Sequence, residues 1–510
     1  MKKRHSIKKA LARRLLVAVL LVVQLALLLF LILSGNAASK WISHFLSLVS
    51  VLVCLHVISA ESRPGFKITW LLLVLVFPVF GGLFYLIATR QTGSLYAKQH
   101  FDRISREKAC HFSKDPAAEE AAKAAFPACR PMLRYLSDHA GFPVSFDSET
   151  KYYPSGETFF DALLQALETA EKYIYLEYFI IEDGVMWNSI LEILKRKAAE
   201  GVDVRVMYDD MGCFLTLPKD YPDHLRSFGI KCQVFMPFLP VLSVLHNNRD
   251  HRKIASIDGR IAFTGGVNLA DEYINRREKH GRWRDAAVSV TGSAAWNLTV
   301  IFLTLWQSAS GEKDDLDSLR PKTAAAPKSS AFVQPYADVP LDDDKTGEHV
   351  YLHIIQSAKD YLYISTPYLI IDDTMVLALT LAAKSGVDVR ILTPEIGDNK
   401  FVHMTTRSYY RDLIAAGIKI YEYTGGYNHA KTFVSDDTIA TVGTVNLDYR
   451  SLYLHYECGA VFYGDSIIAD MRDDFLRVAQ DSTPITKESC EASRFVQLLQ
   501  SILRIFAPLM

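Results

Sequence analysis

Two stretches of the chain carry the same polar pattern: HRKIASIDGRIAFTGGVN at 251–268 and HAKTFVSDDTIATVGTVN at 429–446. From each histidine, a lysine follows at the second position, an aspartate at the seventh, a glycine at the fourteenth and an asparagine at the seventeenth. One His-x-Lys pair is a weak signal, but two copies with matching offsets indicate a duplicated functional motif. The matched residues are His251, Lys253, Asp258 and Asn268 in the first copy, and His429, Lys431, Asp436 and Asn446 in the second.

The sequence around the two motifs is repeated as well. Three pairs of segments match in the same order, with offsets of 185 to 188 residues. They are AEKYIYLEYFI (170–180) with AKDYLYISTPY (358–368), GVDVR (201–205) with 386–390, and GIK (229–231) with 417–419. The matches indicate that a unit of about 180 residues is duplicated.

Each unit alternates between helical and strand patterns. In the first unit, apolar residues have helical spacing at 159–172 and 187–199, and β-rich runs occupy 173–181 and 202–208. Strands that alternate with helices predict an α/β fold, with parallel strands covered by helices.

The N-terminus has the pattern of a membrane anchor. Seven cations and no acid precede 15–34, an uncharged stretch that as a helix is about 30 Å long, the thickness of a bilayer core. We predict transmembrane helices at about 15–34, 41–60 and 69–89; the second could instead lie along the membrane interface. A signal peptide is the rival interpretation, which the length of the first stretch disfavours. The predicted organisation is a transmembrane region at 1–90, a connector at 91–146, a first domain at 147–310, a linker at 311–333 and a second domain at 334–510.

Composition counts against two classes of protein. The chain has 56 basic and 57 acidic side chains and a net charge of −1, which counts against a nucleic-acid-binding protein. Its seven cysteines are scattered, with no C-x-x-C pair. This spacing counts against a structural zinc site and against a disulfide scaffold.

The residue types in the motif suit phosphoryl transfer. Side chains two apart on a strand face the same side, so each histidine projects together with its lysine. One histidine can attack phosphorus while the other protonates the leaving oxygen, and lysine and asparagine donors balance the phosphoryl charge. Asp258 and Asp436 complete the catalytic motif, but we expect them to order it across a turn rather than to transfer protons. This chemistry requires no metal and no other cofactor.

With its H-x-K-x4-D motif present twice, the chain resembles the phospholipase D superfamily. It is similar more narrowly to bacterial cardiolipin synthases, through FTGGVNLADEY (263–273), WRDAAVSVTG (283–292), TPYLI (366–370) and GIKIYEY (417–423). The resemblance covers about four-fifths of the chain. It implies two phospholipase D-like repeats, each a mixed sheet flanked by helices, in a multi-pass protein of the bacterial cell membrane.

The resemblance also implies a reaction. Two phosphatidylglycerol molecules would give cardiolipin and glycerol through a phosphatidyl-histidine, with His251 as nucleophile and His429 as acid, and with no metal and no nucleic acid involved. Three alternatives stay open: a phospholipase D that uses water or another alcohol, a membrane-tethered nuclease, and a non-catalytic lipid-binding scaffold. The chain departs from the family pattern at His455, where an asparagine is expected.

Two later acids are candidates for orienting the histidines. An imidazole that attacks through one ring nitrogen needs its other N–H held, usually by a carboxylate. Asp285 follows His251 by 34 residues, and Glu457 follows His429 by 28, each in an otherwise apolar β-run. An unpaired carboxylate would be costly there. We therefore predict that Asp285 and Glu457 hold the histidines; pairing with a nearby arginine is the alternative.

Overall fold

The computed structural model describes residues 37–77, 94–237, 247–322, 331–342 and 344–509, together with seven single positions before residue 90. Its helices run over Ala37–Ser59, Pro64–Val76, Ser94–Lys108, Pro116–Ala125, Arg130–Arg134, Gly156–Glu168, Val185–Ala199, Asp210–Cys213, Tyr221–Arg226, Gly292–Ser310, Leu316–Leu319, Thr346–Ser357, Asp373–Lys384, Lys400–Ala415, Tyr449–Tyr453, Ile467–Gln480 and Arg494–Phe506.

The first repeat is built on a seven-stranded mixed sheet. Its strands, with the short β7, are β1 (Thr150–Tyr153), β2 (Tyr173–Tyr178), β3 (Asp203–Asp209), β4 (Lys231–Phe235), β5 (Ile254–Ile257), β6 (Ile261–Gly265), β7 (Arg282–Arg284) and β8 (Ala287–Thr291). The order across the sheet is β1-β8-β6-β5-β2-β3-β4. The pairs β2–β3 and β3–β4 are parallel and the other pairs are antiparallel.

The second repeat has the same plan with one added edge strand. Its strands are β9 (Phe332–Asp338), β10 (Tyr361–Ser365), β11 (Asp388–Pro394), β12 (Lys419–Tyr423), β13 (Gly426–Asn428), β14 (Thr432–Ser435), β15 (Ile439–Gly443), β16 (Glu457–Tyr463) and β17 (Thr483–Ile485). The order β17-β12-β11-β10-β14-β15-β16-β9 reproduces that of the first sheet. The prediction of two α/β repeats with mixed sheets is confirmed; the simpler expectation of parallel strands holds only for β2–β4 and β10–β12.

The helix Gly292–Ser310 lies in the core between the repeats. It packs against β5, β6 and β8 of the first sheet and against β9 of the second. Its side chains are buried on nearly every face, which fits a sequence with almost no charge and no polar stripe. The two repeats therefore share one hydrophobic core, to which both sheets contribute.

The two repeats are also joined by backbone pairing. Strand β7 of the first repeat and β13 of the second form a separate two-stranded parallel sheet. An isolated parallel bridge joins Asp250 to Tyr456. Both connections lie next to the His-x-Lys motifs, so they fix where the motifs of the two repeats meet.

The prediction of N-terminal transmembrane helices is not supported. Within the part of the chain that the structure describes, no helix is both long and apolar enough to cross a membrane. The helices observed near the second and third predicted spans are Ala37–Ser59 and Pro64–Val76. The predicted span 15–34 lies outside the described residues, apart from three single positions, as does most of 77–89.

Candidate active site

The histidine of each repeat is attached through its backbone to the other repeat. The His251 amide donates to the Tyr456 carbonyl over 2.9 Å, directly before Glu457 in the sequence. In the pseudo-symmetric position, the His429 amide donates to the Arg284 carbonyl over 2.7 Å, directly before Asp285. The short inter-repeat pairing thus places each histidine beside the acid of the other repeat.

The imidazole–carboxylate contacts are crossed between the repeats. His251 Nδ1 lies 2.9 and 3.0 Å from the two carboxylate oxygens of Glu457, and His429 Nδ1 lies 2.7 Å from Asp285 Oδ2. The sequence analysis selected these two acids but considered each with the histidine of its own repeat, and that pairing is wrong. Because Nδ1 faces a carboxylate in both rings, Nε2 is the nitrogen left for reaction.

Both lysines bond back to the motif that carries them. Lys253 Nζ donates to the His251 carbonyl over 2.7 Å, and Lys431 Nζ donates to the His429 carbonyl. Lys431 Nζ also lies 2.8 Å from His429 Nδ1. That ring nitrogen cannot both accept from the ammonium and donate to Asp285, and the shorter contact, with the carboxylate, is the one that leaves Nε2 free.

Burial and mutual repulsion set the protonation of these groups. Burial first, and then the charge of Lys431, lower the pKa of His429 to about 4. Burial, then Lys253, holds the pKa of His251 well below its usual range. The pKa values of Lys253 and Lys431 are lowered by burial to about 8 and about 7. Each lysine acts on the histidine of the other repeat as well, so the four groups form one electrostatic unit.

The Glu457 carboxylate is fully buried, and burial raises its pKa well above its usual range. The Thr444 hydroxyl donates to it. Burial therefore disfavours the charged form of both Glu457 and His251.

The two motif aspartates bond to backbone amides rather than to the histidines. Asp258 accepts hydrogen bonds of 2.8 Å from three successive amides, Glu171 to Tyr173, at the start of β2. Asp436 accepts the equivalent three, of 2.7 to 3.0 Å, at the start of β10. Both residues have positive φ in the turn after the histidine strand. These contacts fit the ordering role that the sequence led us to expect for both aspartates.

The two asparagines differ from one another. The Asn268 side chain accepts from the Ile180 amide over 3.1 Å and donates to the Tyr273 hydroxyl over 2.6 Å. Asn446 Oδ1 is buried and has no hydrogen-bond partner among the described residues. Contact of either asparagine with a phosphate, to which the side-chain NH2 would donate, stays a prediction.

The glycines of the motif allow close approach to the acids. A methyl group at Gly266 would come within 2.0 Å of Asp285 Oδ1, so only glycine fits beside that carboxylate. The equivalent position of the second repeat is Thr444, which contacts Glu457 through its hydroxyl. The neighbour of Gly266 in the first repeat is Asp285, the acid that contacts His429.

The walls around the two histidines are different. The His429 ring lies among Tyr273, Trp283 and Tyr427, with ring centroids 5.4 to 5.8 Å away. The His251 ring lies 5.1 Å from Phe179 and 5.5 Å from His455. The side chains of His251 and His429 are 8% and 9% exposed, so both rings are largely shielded from bulk water.

His455 is the site residue for which sequence reasoning gave no role. Its Nδ1 lies 3.6 Å from Glu457 Oε1, and burial holds its pKa well below the usual range. The only signal in the sequence was its departure from the asparagine of the family pattern. The second repeat therefore contributes a third imidazole beside the reactive histidine of the first.

Comparison with protein families matches most of the folded chain. The family model described as "Cardiolipin synthase, PLD-like domain" matches residues 163–297 and 351–479, one match in each repeat. A second family model, "Phospholipase_D-nuclease N-terminal", matches residues 46–90. Both His-x-Lys motifs fall inside the first family's matches.

Individual relatives agree with the family matches. An uncharacterized protein of Streptococcus mutans is 40% identical over 89% of this chain and 99% of its own length. The cardiolipin synthase of Alkalihalophilus pseudofirmus is 34% identical over 94% of this chain and 96% of its own. Among solved structures, the phosphatidylserine synthase of Haemophilus influenzae superposes with a TM-score of 0.56, at 15% identity, over 72% of this chain and 95% of that one. At that identity the superposition supports the fold alone.

Proposed function

Because the chain belongs to the cardiolipin synthase family of phospholipase D-like proteins, we propose that it is a phosphatidyltransferase that converts two phosphatidylglycerol molecules into cardiolipin and glycerol. The observation that carries the proposal is a pair of histidines beside two lysines. Each histidine has Nδ1 against a buried carboxylate, and its Nε2 has no hydrogen bond to any residue that the structure describes. This arrangement holds a phosphodiester between a nucleophile and an acid.

The first step transfers the phosphatidyl group to the enzyme. His251 Nε2 attacks phosphorus and forms the P–N bond as the P–O bond to glycerol breaks. His429 Nε2 gives its proton to the departing glycerol oxygen. Positive charge then develops on the His251 ring, where Glu457 at 2.9 Å stabilises it.

The second step reverses the proton transfer. A hydroxyl on the glycerol headgroup of a second phosphatidylglycerol gives its proton to His429 and attacks phosphorus. The P–N bond to His251 breaks and cardiolipin leaves. Asp285, 2.7 Å from His429 Nδ1, stabilises the imidazolium that forms. The order of the two histidines is adopted from the family resemblance, since the motifs themselves are nearly symmetric.

The anionic substrate prepares His429 to act as an acid. In the free enzyme, burial and the charge of Lys431 keep the pKa of His429 near 4, so the ring is neutral. A phosphodiester anion beside Lys253 and Lys431 offsets the two ammonium charges. This removes part of the cause of the low pKa and favours the protonated ring once substrate is bound.

Two rival activities use the same histidines. A hydrolase would admit water as acceptor, and a nuclease would bind a nucleic acid phosphodiester. The net charge of −1 disfavours the nuclease. The low exposure of both histidine side chains favours transfer to a lipid alcohol over transfer to water.

We further propose that the N-terminal part of the chain associates the protein with the membrane in which its substrates reside. The match of residues 46–90 to the N-terminal family model supports this placement. We also propose the multi-pass arrangement that the sequence led us to expect. The first hydrophobic stretch of that arrangement, 15–34, lies largely outside the described residues.

The proposed function is tested by incubating the purified enzyme with phosphatidylglycerol alone and separating the lipids. Cardiolipin with an equal amount of glycerol supports the synthase. Phosphatidic acid without cardiolipin supports the hydrolase, and the absence of lipid turnover would contradict both. Rapid acid-free quenching with phosphorus-labelled lipid is expected to place label on the peptide that contains His251. Label on the His429 peptide would reverse the two roles.

A further inference from the structure

The half of the site around His251 contains three potential metal ligands. His251, His455 and Glu457 each offer one ligand atom, and these atoms lie within 4.8 Å of one another. Two of the three are imidazoles and one is a carboxylate, the donor set that borderline transition metals such as Zn²⁺ prefer. The sequence conceals this cluster because His251 and Glu457 are 206 residues apart.

The distances between the ligand atoms fit a tetrahedral ion. Ligands about 2.1 Å from Zn²⁺ in a tetrahedron are separated by roughly 3.4 Å. His251 Nδ1 lies 2.9 Å from Glu457 Oε1, and His455 Nδ1 lies 3.6 Å from the same oxygen. Both separations are within about half an ångström of the tetrahedral value, and all three ligand atoms lie within 4.8 Å of one another.

The unpaired state of His455 is the second observation that points to a ligand. Its Nδ1 is buried and has no hydrogen-bond partner within the part of the chain that the structure describes. Such an atom is costly to bury. A cation between His455 and Glu457 would satisfy it.

The other half of the site lacks the third ligand. The residue two positions before Asp285 is Trp283, in the place that His455 holds before Glu457. An indole ring has no lone pair in its plane for a metal. The pseudo-symmetric pair His429–Asp285 therefore offers a metal ion two ligands, whereas the site around His251 offers three.

We propose that His251, Glu457 and His455 bind one Zn²⁺-like transition-metal cation, and that this cation inhibits the enzyme. Three protein ligands leave a fourth position for water or a phosphate oxygen. The bound cation takes Glu457 away from its hydrogen bond with His251 and withdraws electrons from the ring that attacks phosphorus. Binding of the cation rests on the geometry alone, whereas the inhibition rests on the proposed function.

Binding is measured on the full-length protein in detergent, after treatment with chelator and in a buffer without phosphate. Titration with Co²⁺ is expected to give the visible absorption of a four-coordinate ion, with one ion per chain. His455→Asn is expected to abolish that absorption, and His139→Asn, which removes an exposed histidine elsewhere, to leave it unchanged. Co²⁺ absorption that persists in His455→Asn would overturn the assigned site.

Inhibition is measured as lipid turnover against Zn²⁺ concentration, each variant being compared with its own metal-free rate. His455→Asn is expected to raise the Zn²⁺ concentration for half inhibition by at least about a hundredfold, more than the loss of an outer hydrogen-bonding partner causes. Equal sensitivity in wild type and variant would overturn the proposal. Co²⁺ binding through His455 without any effect on turnover would overturn the inhibitory role. Co²⁺ binding in a protein with no turnover at all would contradict the proposed function and leave the cation site standing.

Discussion

The crossed contacts predict which acid serves which step. Glu457→Gln and Asp285→Asn keep the shape of each side chain and remove its charge. A buried hydrogen bond to a charged group is worth about 3 kcal/mol, which corresponds to roughly a hundredfold in rate at 1.36 kcal/mol per tenfold. We expect each variant to fold and to lose at least about a hundredfold in turnover of phosphatidylglycerol. Equal thermal unfolding of variant and wild type checks that the protein is intact.

A donor with an activated leaving group separates the two steps. Phosphatidyl-p-nitrophenol releases a phenolate that needs no proton, so its departure bypasses the acid His429 but still requires the nucleophile His251. We expect Asp285→Asn to retain a burst of nitrophenol close to that of wild type. We expect Glu457→Gln to slow the rate of the nitrophenol burst by roughly a hundredfold, because Glu457 contacts His251 at 2.9 Å.

The reverse result would refute the reasoning. If Asp285→Asn lost the burst and Glu457→Gln kept it, either the acids would act within their own repeats or the roles of the two histidines would be exchanged. The position of trapped phosphorus on His251 or His429 distinguishes these cases. Near-normal turnover of phosphatidylglycerol in both variants would show that other groups orient the rings.

Three further outcomes follow from the site. Gly266→Ala is expected to displace the Asp285 carboxylate, because its methyl group would lie 2.0 Å from Oδ1, and to reduce turnover about a hundredfold; an unchanged rate would contradict the close contact. Asp258→Ala leaves three backbone amides without their acceptor and is expected to lower the free energy of unfolding in urea by about 3 kcal/mol. Turnover per folded molecule is expected to stay within about twofold of wild type. A loss of turnover at unchanged stability would assign Asp258 to the chemistry. The charges on Lys431 and Lys253 are present below their pKa values of about 7 and 8 and are lost above them. We therefore expect kcat/KM to fall as pH rises through this range, and Lys431→Arg to move the fall to higher pH. A value of kcat/KM that rises over the same range would refute the role of the lysine charge.

Much of the fold could be predicted from the sequence because the duplication is recorded in residue offsets. The His-x-Lys motifs, the matching segments and the strand–helix alternation predicted two α/β repeats, and the family resemblance implied that their sheets are mixed; both expectations are confirmed. The antiparallel direction of β5, β6 and β8 could not be read from periodicity, because side chains alternate with period two in both kinds of strand pairing. The predicted transmembrane helices are not supported within the residues that the structure describes.

The candidate site could be predicted residue by residue but not in its pairing. Asp285 and Glu457 were found because a carboxylate in an apolar strand needs a partner. Which histidine is that partner depends on β7–β13 pairing and on the Asp250–Tyr456 bridge, contacts between segments far apart in sequence. The cluster that includes His455 was missed for the same reason.

The crossed arrangement has a consequence for how such an enzyme arises and divides. Each repeat contributes one histidine and one acid. The histidine of each repeat contacts the acid of the other repeat. A lone ancestral copy would have gained an oriented imidazole only by pairing with a second, identical copy about a twofold axis. Two copies within one chain can differ where two identical chains cannot, as Trp283 opposite His455 and Gly266 opposite Thr444 illustrate. The functional unit is therefore the interface between the two repeats, and a single repeat would lack the acid that contacts its own histidine.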